Sequence, residues 1–251
     1  MANLKEIRSR ITSVGSTMQI TSAMKMVSAA KLKRAQDAVT QMRPYANKLT
    51  ELLINLSSSL DSSEGGVYSQ NRQVKKILIV VITSNRGLCG GFNANIIKKA
   101  KSLMSENFKD IPTDLISIGK KSTEHFTKNN YNVISSHDDL YLDLNFNKTS
   151  EIAQSIMDAF TNEDYDKVIL IYNQFKNAAT QIVMNEQFLP VESPKESEDS
   201  IGDYIFEPNQ QFIVESLIPK SLKTQLFKAI LDSHASEHGA RMTAMHKATD
   251  N

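Results

Sequence analysis

The feature that most limits how this chain can fold is an apolar heptad along its first sixty residues. Leu4, Ile7, Ile11, Val14 and Met18 alternate at spacings of three and four. The same frame resumes at Leu32 and continues through Ala35, Val39, Met42, Ala46, Leu49, Leu53, Leu56 and Leu60. A seam sustained over that length specifies a helix that packs on another helix. Sixty helical residues span about 90 Å. A compact chain of 251 residues has a radius of gyration of about 18 Å. The helix must therefore protrude, and its seam needs cover. The other long heptad segment lies at the opposite end, where Leu222 and Leu226 open a face after Pro219 and Leu231, Ala235, His238, Met242, Met245 and Thr249 continue it. An antiparallel pair of terminal helices, with the rest of the chain inserted between them, covers both seams.

The frame falters between Met18 and Leu32. Its positions there are Thr21, Lys25 and Ser28, all polar, while Ile20, Met24 and Val27 form a rotated stripe. Two readings follow: the seam is locally loosened, or a different face meets a partner. Pro44 lacks an N–H and crowds the preceding turn, so a kink is expected near Gln41–Pro44.

Between the helices the pattern alternates. QVKKILIVVITS, TDLISIG, YNVISS and YDKVILIYNQF read as strands, and FNANIIKKAKSLMSENF, KKSTEHFTKNN and TSEIAQSIMDAFTN as helices between them. This is the signature of a mostly parallel, Rossmann-like sheet with helices on its faces, an α/β fold. TQIVMNEQFLPV alternates partially and suits an antiparallel edge strand, SPKESEDSIG a polar loop, and DYIFEP a short strand. The expected division is a coiled-coil shaft from residues 1–60 and 211–251 and an α/β foot domain from residues 74–208.

Charge is unevenly placed. Residues 1–43 carry eight Lys/Arg against Glu6 and Asp37, a net +6, and residues 186–207 carry seven acids against Lys195, a net −6. No run approaches the roughly 18 apolar residues of a membrane span. The start, MANLKEIRSR, lacks the apolar core of a secretory signal. One cysteine, Cys89, allows no internal disulfide and suits a reducing compartment.

SNRGLCGGFN, Ser84 to Asn93, lies between a strand and a helix, where α/β proteins hold phosphates. Its glycines, Gly87, Gly90 and Gly91, match neither the dinucleotide fingerprint nor the Walker loop. IGKKS, Ile118 to Ser122, resembles a Walker tail but has Asp114 where the first glycine belongs. The glycines are read as structural, supplying backbone angles for a tight turn, with Asn93 or Asn95 capping the next helix. Cys89 has no base beside it and reads as a buried thiol. His234 and His238 stand four apart on one helix face, but HASEH is not H-E-x-x-H and no third ligand is evident, so His238 reads as a seam residue. HDD at His137–Asp139 reads as a solvated loop. No catalytic site, metal site or cofactor is expected.

KEIRSRITSV and TMQITSAMKMVSAAKLKRAQ at the start, TSNRGLCGGFN in the middle and ASEHGARMTAMHKATDN at the end together resemble the gamma subunit of the F-type ATP synthase, in order and from end to end. The resemblance implies a non-catalytic rotor shaft that turns inside a ring of alpha and beta subunits. Its foot would stand on the epsilon subunit and the membrane c ring, so that proton flow drives ATP synthesis on beta. It implies a peripheral position on the cytoplasmic face of the bacterial inner membrane. Members of that family continue some tens of residues past TDN, so the C-terminal helix is expected to be cut short here. The resemblance places Met24, Lys25, Lys31, Lys33 and Arg34 against the alpha/beta ring, and Tyr204 and Glu207 against the c ring. On this reading the small polar residues from Thr21 to Ser28 keep the shaft surface from sticking. Two rival readings make other predictions. A nucleotide- or phosphate-binding α/β enzyme tethered by a coiled coil would bind nucleotide stoichiometrically. A nucleic-acid adaptor using the basic first helix would bind duplex DNA with a steep salt slope, but no aromatic residue precedes Tyr45 to stack on bases.

Overall fold

In the computed structural model, which describes residues 3–57, 67–191 and 210–250, the N-terminal heptad becomes one helix, α1 (Leu4–Ser57). Its 54 residues span about 81 Å. The helix runs through Pro44 without losing its assignment. The final helix, α5 (Gln210–Asp250), likewise runs through Pro219. The two are antiparallel: Thr21 meets Thr249 at 2.8 Å, and Arg43 meets Asp232 at 3.0 Å. Leu32, Ala35 and Val39 of α1 pack with Leu231 and Ala235 of α5, joined by Phe175 from the sheet.

The polar gap resolves in favour of the original frame. Thr21 is 8 % exposed and Ser28 3 %, so the heptad face stays turned to α5 and the rotated stripe looks outward, with Ile20 60 % and Val27 56 % exposed. The expectation that small polar residues keep the outer surface smooth is therefore corrected. Those side chains serve the helix–helix seam, where their small volume lets the backbones approach. The outer surface at this level is apolar, carrying Ile20, Met26 and Val27. Toward the N-terminus the seam has no cover among the described residues, and exposure there runs from 43 % at Ile7 to 74 % at Leu4.

The inserted sheet contains β1 (Ile77–Ile82), β2 (Thr113–Ile118), β3 (Val133–Ser136), β4 (Lys167–Phe175) and β5 (Gln181–Leu189), in the spatial order β3-β2-β1-β4-β5. The first four are parallel, and β5 is antiparallel at the edge, as its pattern predicts. β1 is buried at all six positions, which is why its sequence is an unbroken apolar run.

Helices α2 (Phe92–Ser102) and α3 (Lys120–Lys128) cover one face, and α4 (Phe146–Thr161) with the first half of α5 covers the other. Ile77, Ile79 and Val81 meet Ile96, Ala100 and Phe126, while Leu78, Val80 and Ile82 meet Ile152, Ile156, Leu222 and Leu226. Alternation along one strand thus supplies both cores. α5 therefore belongs to both parts: Ile218 to Ile230 pack on the sheet, and the residues from Leu231 onward pair with α1. DYIFEP and SPKESEDSIG lie outside the described residues.

Candidate functional site

In an open α/β sheet, ligands sit outside the carboxyl ends of the strands where the winding direction reverses. Here the reversal lies between β1 and β4, and the SNRGLCGGFN loop lies beside it. The crevice holds α5. Ser236 Oγ donates to the Asn173 carbonyl at 3.1 Å. Thr243 Oγ1 donates to the Ala178 carbonyl at 3.1 Å. Ala240 packs against Cys89 and Phe92. Gly239 passes so near the β4–β5 turn that a Cβ there would lie 3.1 Å from the Ala178 backbone. The glycine loop and the ends of β1 and β4 thus form a socket for the shaft.

Two ion pairs lock that socket, one buried on both sides and one joining a buried carboxylate to a partly exposed arginine. Arg241 donates to Glu237 at 2.6 Å and, with its other nitrogen, to the carbonyls of Arg86 and Gly87 at 3.1 and 3.3 Å. Both side chains are about one-tenth exposed, at 9 % and 10 %. Asp232, whose side chain is fully buried, accepts from Arg43 of α1 at 3.0 Å and from the Phe175 amide at 3.4 Å. Arg43 also donates to the Phe175 carbonyl at 2.8 Å. One carboxylate therefore ties α1, α5 and β4 together. Burial pushes the carboxyls of Asp232 and Glu237 above their ordinary range, against the pull of Arg43 and Arg241.

Beside the socket, His234 and His238 face each other with Nε2 atoms 3.1 Å apart, and His234 stacks on Tyr141. Burial holds both imidazoles neutral, down to about 4 for His234 and about 3 for His238, with Lys31 and Arg241 adding to the effect. The pair is bonded to itself. Among the described residues no group of three metal-type side chains forms around it. His238 is buried, consistent with its place on the seam.

The glycines divide by role. Gly90 adopts φ +58, and Gly87 offers its carbonyl to Arg241 without an unusual angle. Gly91 is the N-cap residue of α2, with no side-chain cap. The second left-handed residue of the turn is Leu88, at φ 60, not a glycine. The expected capping by Asn93 or Asn95 is overturned. Asn93 reaches back to Ser84, accepting from its amide at 3.0 Å and donating to its Oγ at 2.8 Å and to Cys89 Sγ at 3.2 Å. Asn95 lies against Gly91. A buried loop offered Asn93 better partners than the helix end did. Burial raises the Cys89 thiol, as expected of a structural cysteine.

The Walker-like tail is equally structural. Gly119 holds φ +103, and a Cβ there would fall 2.2 Å from the Thr83 carbonyl oxygen. Ser122 is buried and bonded to Thr83 and Ser117. HDD is bound rather than solvated: Asp138 accepts from Thr123 at 2.8 Å, and its carbonyl accepts from Asn85 at 2.6 Å.

Of the ring-facing candidates, Lys31, Lys33 and Arg34 are exposed on α1, and Met24 and Lys25 are half-buried on the flank of the helix pair. Lys33 pairs with Asp37 at 2.8 Å. Tyr204 and Glu207 lie outside the described residues. Sequence reading missed Arg43, Asp232, Glu237, Gly239 and Arg241 as a unit. A signal was present, because charged residues and a glycine interrupt a helix whose neighbours are apolar.

A family profile described as ATP synthase matches residues 3–251. The ATP synthase gamma chain of Flavobacterium johnsoniae is 61 % identical over 253 residues, covering 100 % of this chain and 87 % of the relative. That of Christiangramia forsetii is 58 % identical over 251 residues with the same coverage. Among solved structures, the central stalk and c-ring of the Tetrahymena thermophila mitochondrial ATP synthase aligns with a TM-score of 0.68 at 26 % identity, covering 91 % of this chain and 99 % of that one. The rotor of the Euglena gracilis mitochondrial ATP synthase aligns with a TM-score of 0.65 at 21 % identity, covering 97 % and 90 %.

Proposed function

The chain belongs to the ATP synthase gamma-chain family, and on that premise we propose that it is the central rotor shaft, turning inside the alpha/beta ring and coupling proton flow through the c ring to ATP synthesis or hydrolysis on beta. The observation that carries this reading is the socket. An α/β sheet whose ligand crevice is filled by its own terminal helix, locked by Arg241–Glu237 and Arg43–Asp232, is built to hold a shaft. Torque applied at the foot passes into α5 through these ties and into α1 through the seam.

The chain on this reading does no chemistry. The shaft's asymmetry acts on each surrounding site by differential contact, which is what shifts a conformational equilibrium. Lys31, Lys33 and Arg34 supply exposed positive charge that attracts acidic loops over several ångströms without fixed geometry. Met24 and Lys25 add contact on the flank. We assign the c-ring contact to Tyr204 and Glu207 and the place of work to the cytoplasmic face of the bacterial inner membrane. We assign the chain's attachment to partners, with epsilon among them; no helix among the described residues is long and apolar enough to cross a membrane.

The test is co-expression with the alpha and beta subunits of a flavobacterial relative, followed by single-molecule rotation of a bead fixed to the foot. ATP-driven rotation is the expected result. A stationary bead on a complex that hydrolyses ATP at full rate overturns the reading. Nucleotide titration of the isolated chain separates the shaft from the enzyme reading, because stoichiometric binding supports only the enzyme.

A further inference from the structure

The face of the sheet opposite α5 carries a second feature that the shaft does not use. Residues of α2 and α3 line a groove there of about 820 Å³. Ala94, Ile97 and Tyr131 supply its apolar lining, and Tyr131 is held edge-on to the buried Phe126 with ring centres 5.2 Å apart. The walls are basic: Lys98 and Lys101 stand on α2, Lys121 and Lys128 on α3. The one acid in the lining, Glu124, is already held by Lys121 at 2.6 Å, with Lys120 at 3.9 Å. Among the described residues Lys98, Lys101 and Lys128 enter no ion pair. His125, also in the lining, has a buried Nε2 with no hydrogen-bond partner.

We propose that this groove docks an acidic amphipathic helix of a partner protein. The charges decide the class of occupant. Lys121 and Lys128 are seven residues apart, which along a helix is about 10 Å. Lys98 and Lys101 run along the facing wall. The cations thus form two rails and do not converge on a point, as a site for a single phosphate would require. A membrane surface recruits basic residues onto a protruding plane, whereas here they flank a concave apolar lining. An amphipathic helix lays its apolar face in such a groove. Carboxylates on its flanks would meet the rails.

The full chain should be titrated by fluorescence anisotropy with a synthetic helix carrying Leu at i, i+3, i+4 and i+7 and Glu elsewhere. The control is the same peptide with Lys for Glu. The acidic peptide should bind at least about tenfold more tightly, and added salt should weaken it. A chain carrying Lys98→Glu, Lys101→Glu and Lys128→Glu should lose about tenfold or more in affinity. Ala94→Trp fills the groove without altering charge and should also abolish binding, so a folding defect in the triple variant cannot decide the matter. Circular dichroism melting reports the fold of each. Three results overturn the proposal: equal affinity for the two peptides, binding that survives both variants, or phosphatidylglycerol vesicles displacing the acidic peptide at lower concentration than unlabelled peptide does.

Discussion

The socket and the free end of α1 are both helical, yet they are built on opposite principles. From Ala229 to Arg241, α5 is enclosed nearly all round, its charges paired and its glycine pressed against a neighbouring backbone. From Leu4 to Val27, α1 exposes apolar side chains on two faces, and its contact with α5 rests on small polar residues such as Thr21. The socket fixes one geometry through many mutually dependent contacts. The free end leaves surface for other chains and commits to little within its own. A part that transmits torque needs both: a foot that does not slip and a tip whose contacts lie outside the molecule.

Arg241→Met tests the contrast most severely. It orphans a buried carboxylate and two loop carbonyls and should cost about 3–5 kcal/mol, read by chemical denaturation. Adding Glu237→Leu should recover much of that loss, because no charge then lies unpaired; a double variant as unstable as the single would show that the pair's geometry, and not its charge, holds the socket.

Gly239→Leu should come next, at about 1–3 kcal/mol, since a side chain there must push α5 off the Ala178 backbone. A neutral result would mean that the contact is slack.

Acid should act first on the histidine pair beside the socket. His234 and His238 have folded pKa values below their ordinary 6.5, so their contribution is present above about 6.5 and lost as pH falls through about 4 and about 3. Asp232 and Glu237, shifted upward, contribute in the opposite sense: theirs is present in acid and lost as pH rises. His238→Gln should therefore flatten the fall in melting temperature between pH 6.5 and about 3; an unchanged slope would rule out the imidazole pair as its cause.

The smallest effects belong to the shaft. Thr21→Val removes one hydrogen bond from a thin seam and should cost about 1 kcal/mol or less. Lys33→Ala, at an exposed pair, should stay within about 0.5 kcal/mol in the isolated chain. A larger loss at Lys33 than at Arg241 would invert the comparison.

Much of this architecture was legible before any coordinates. The heptads gave α1, α5 and their antiparallel pairing, because a long apolar stripe has few ways to be covered. The alternation of strand and helix patterns gave the parallel sheet and its antiparallel edge, because ILIVVI must be buried on both faces. The socket was not legible. Arg43 and Asp232 are 189 residues apart in the chain, and Arg241 and Arg86 are 155 apart. Periodicity records which way a side chain points along its own element and says nothing about what arrives there from elsewhere.

The glycine loop shows where that boundary falls. Its composition fixed a tight turn between a buried strand and a helix. Whether the turn would cradle an anion, bind nothing or grip a helix depended on what filled the crevice beside it. The fold placed Ser236 to Arg241 there, and Arg86 and Gly87 turned their carbonyls to a guanidinium. The sequence by itself determined elements, faces and the need for a partner helix, because those follow from local geometry and the exclusion of apolar surface from water. The tertiary structure alone decided which charges meet, because ion pairing depends on distances that only the closed fold sets.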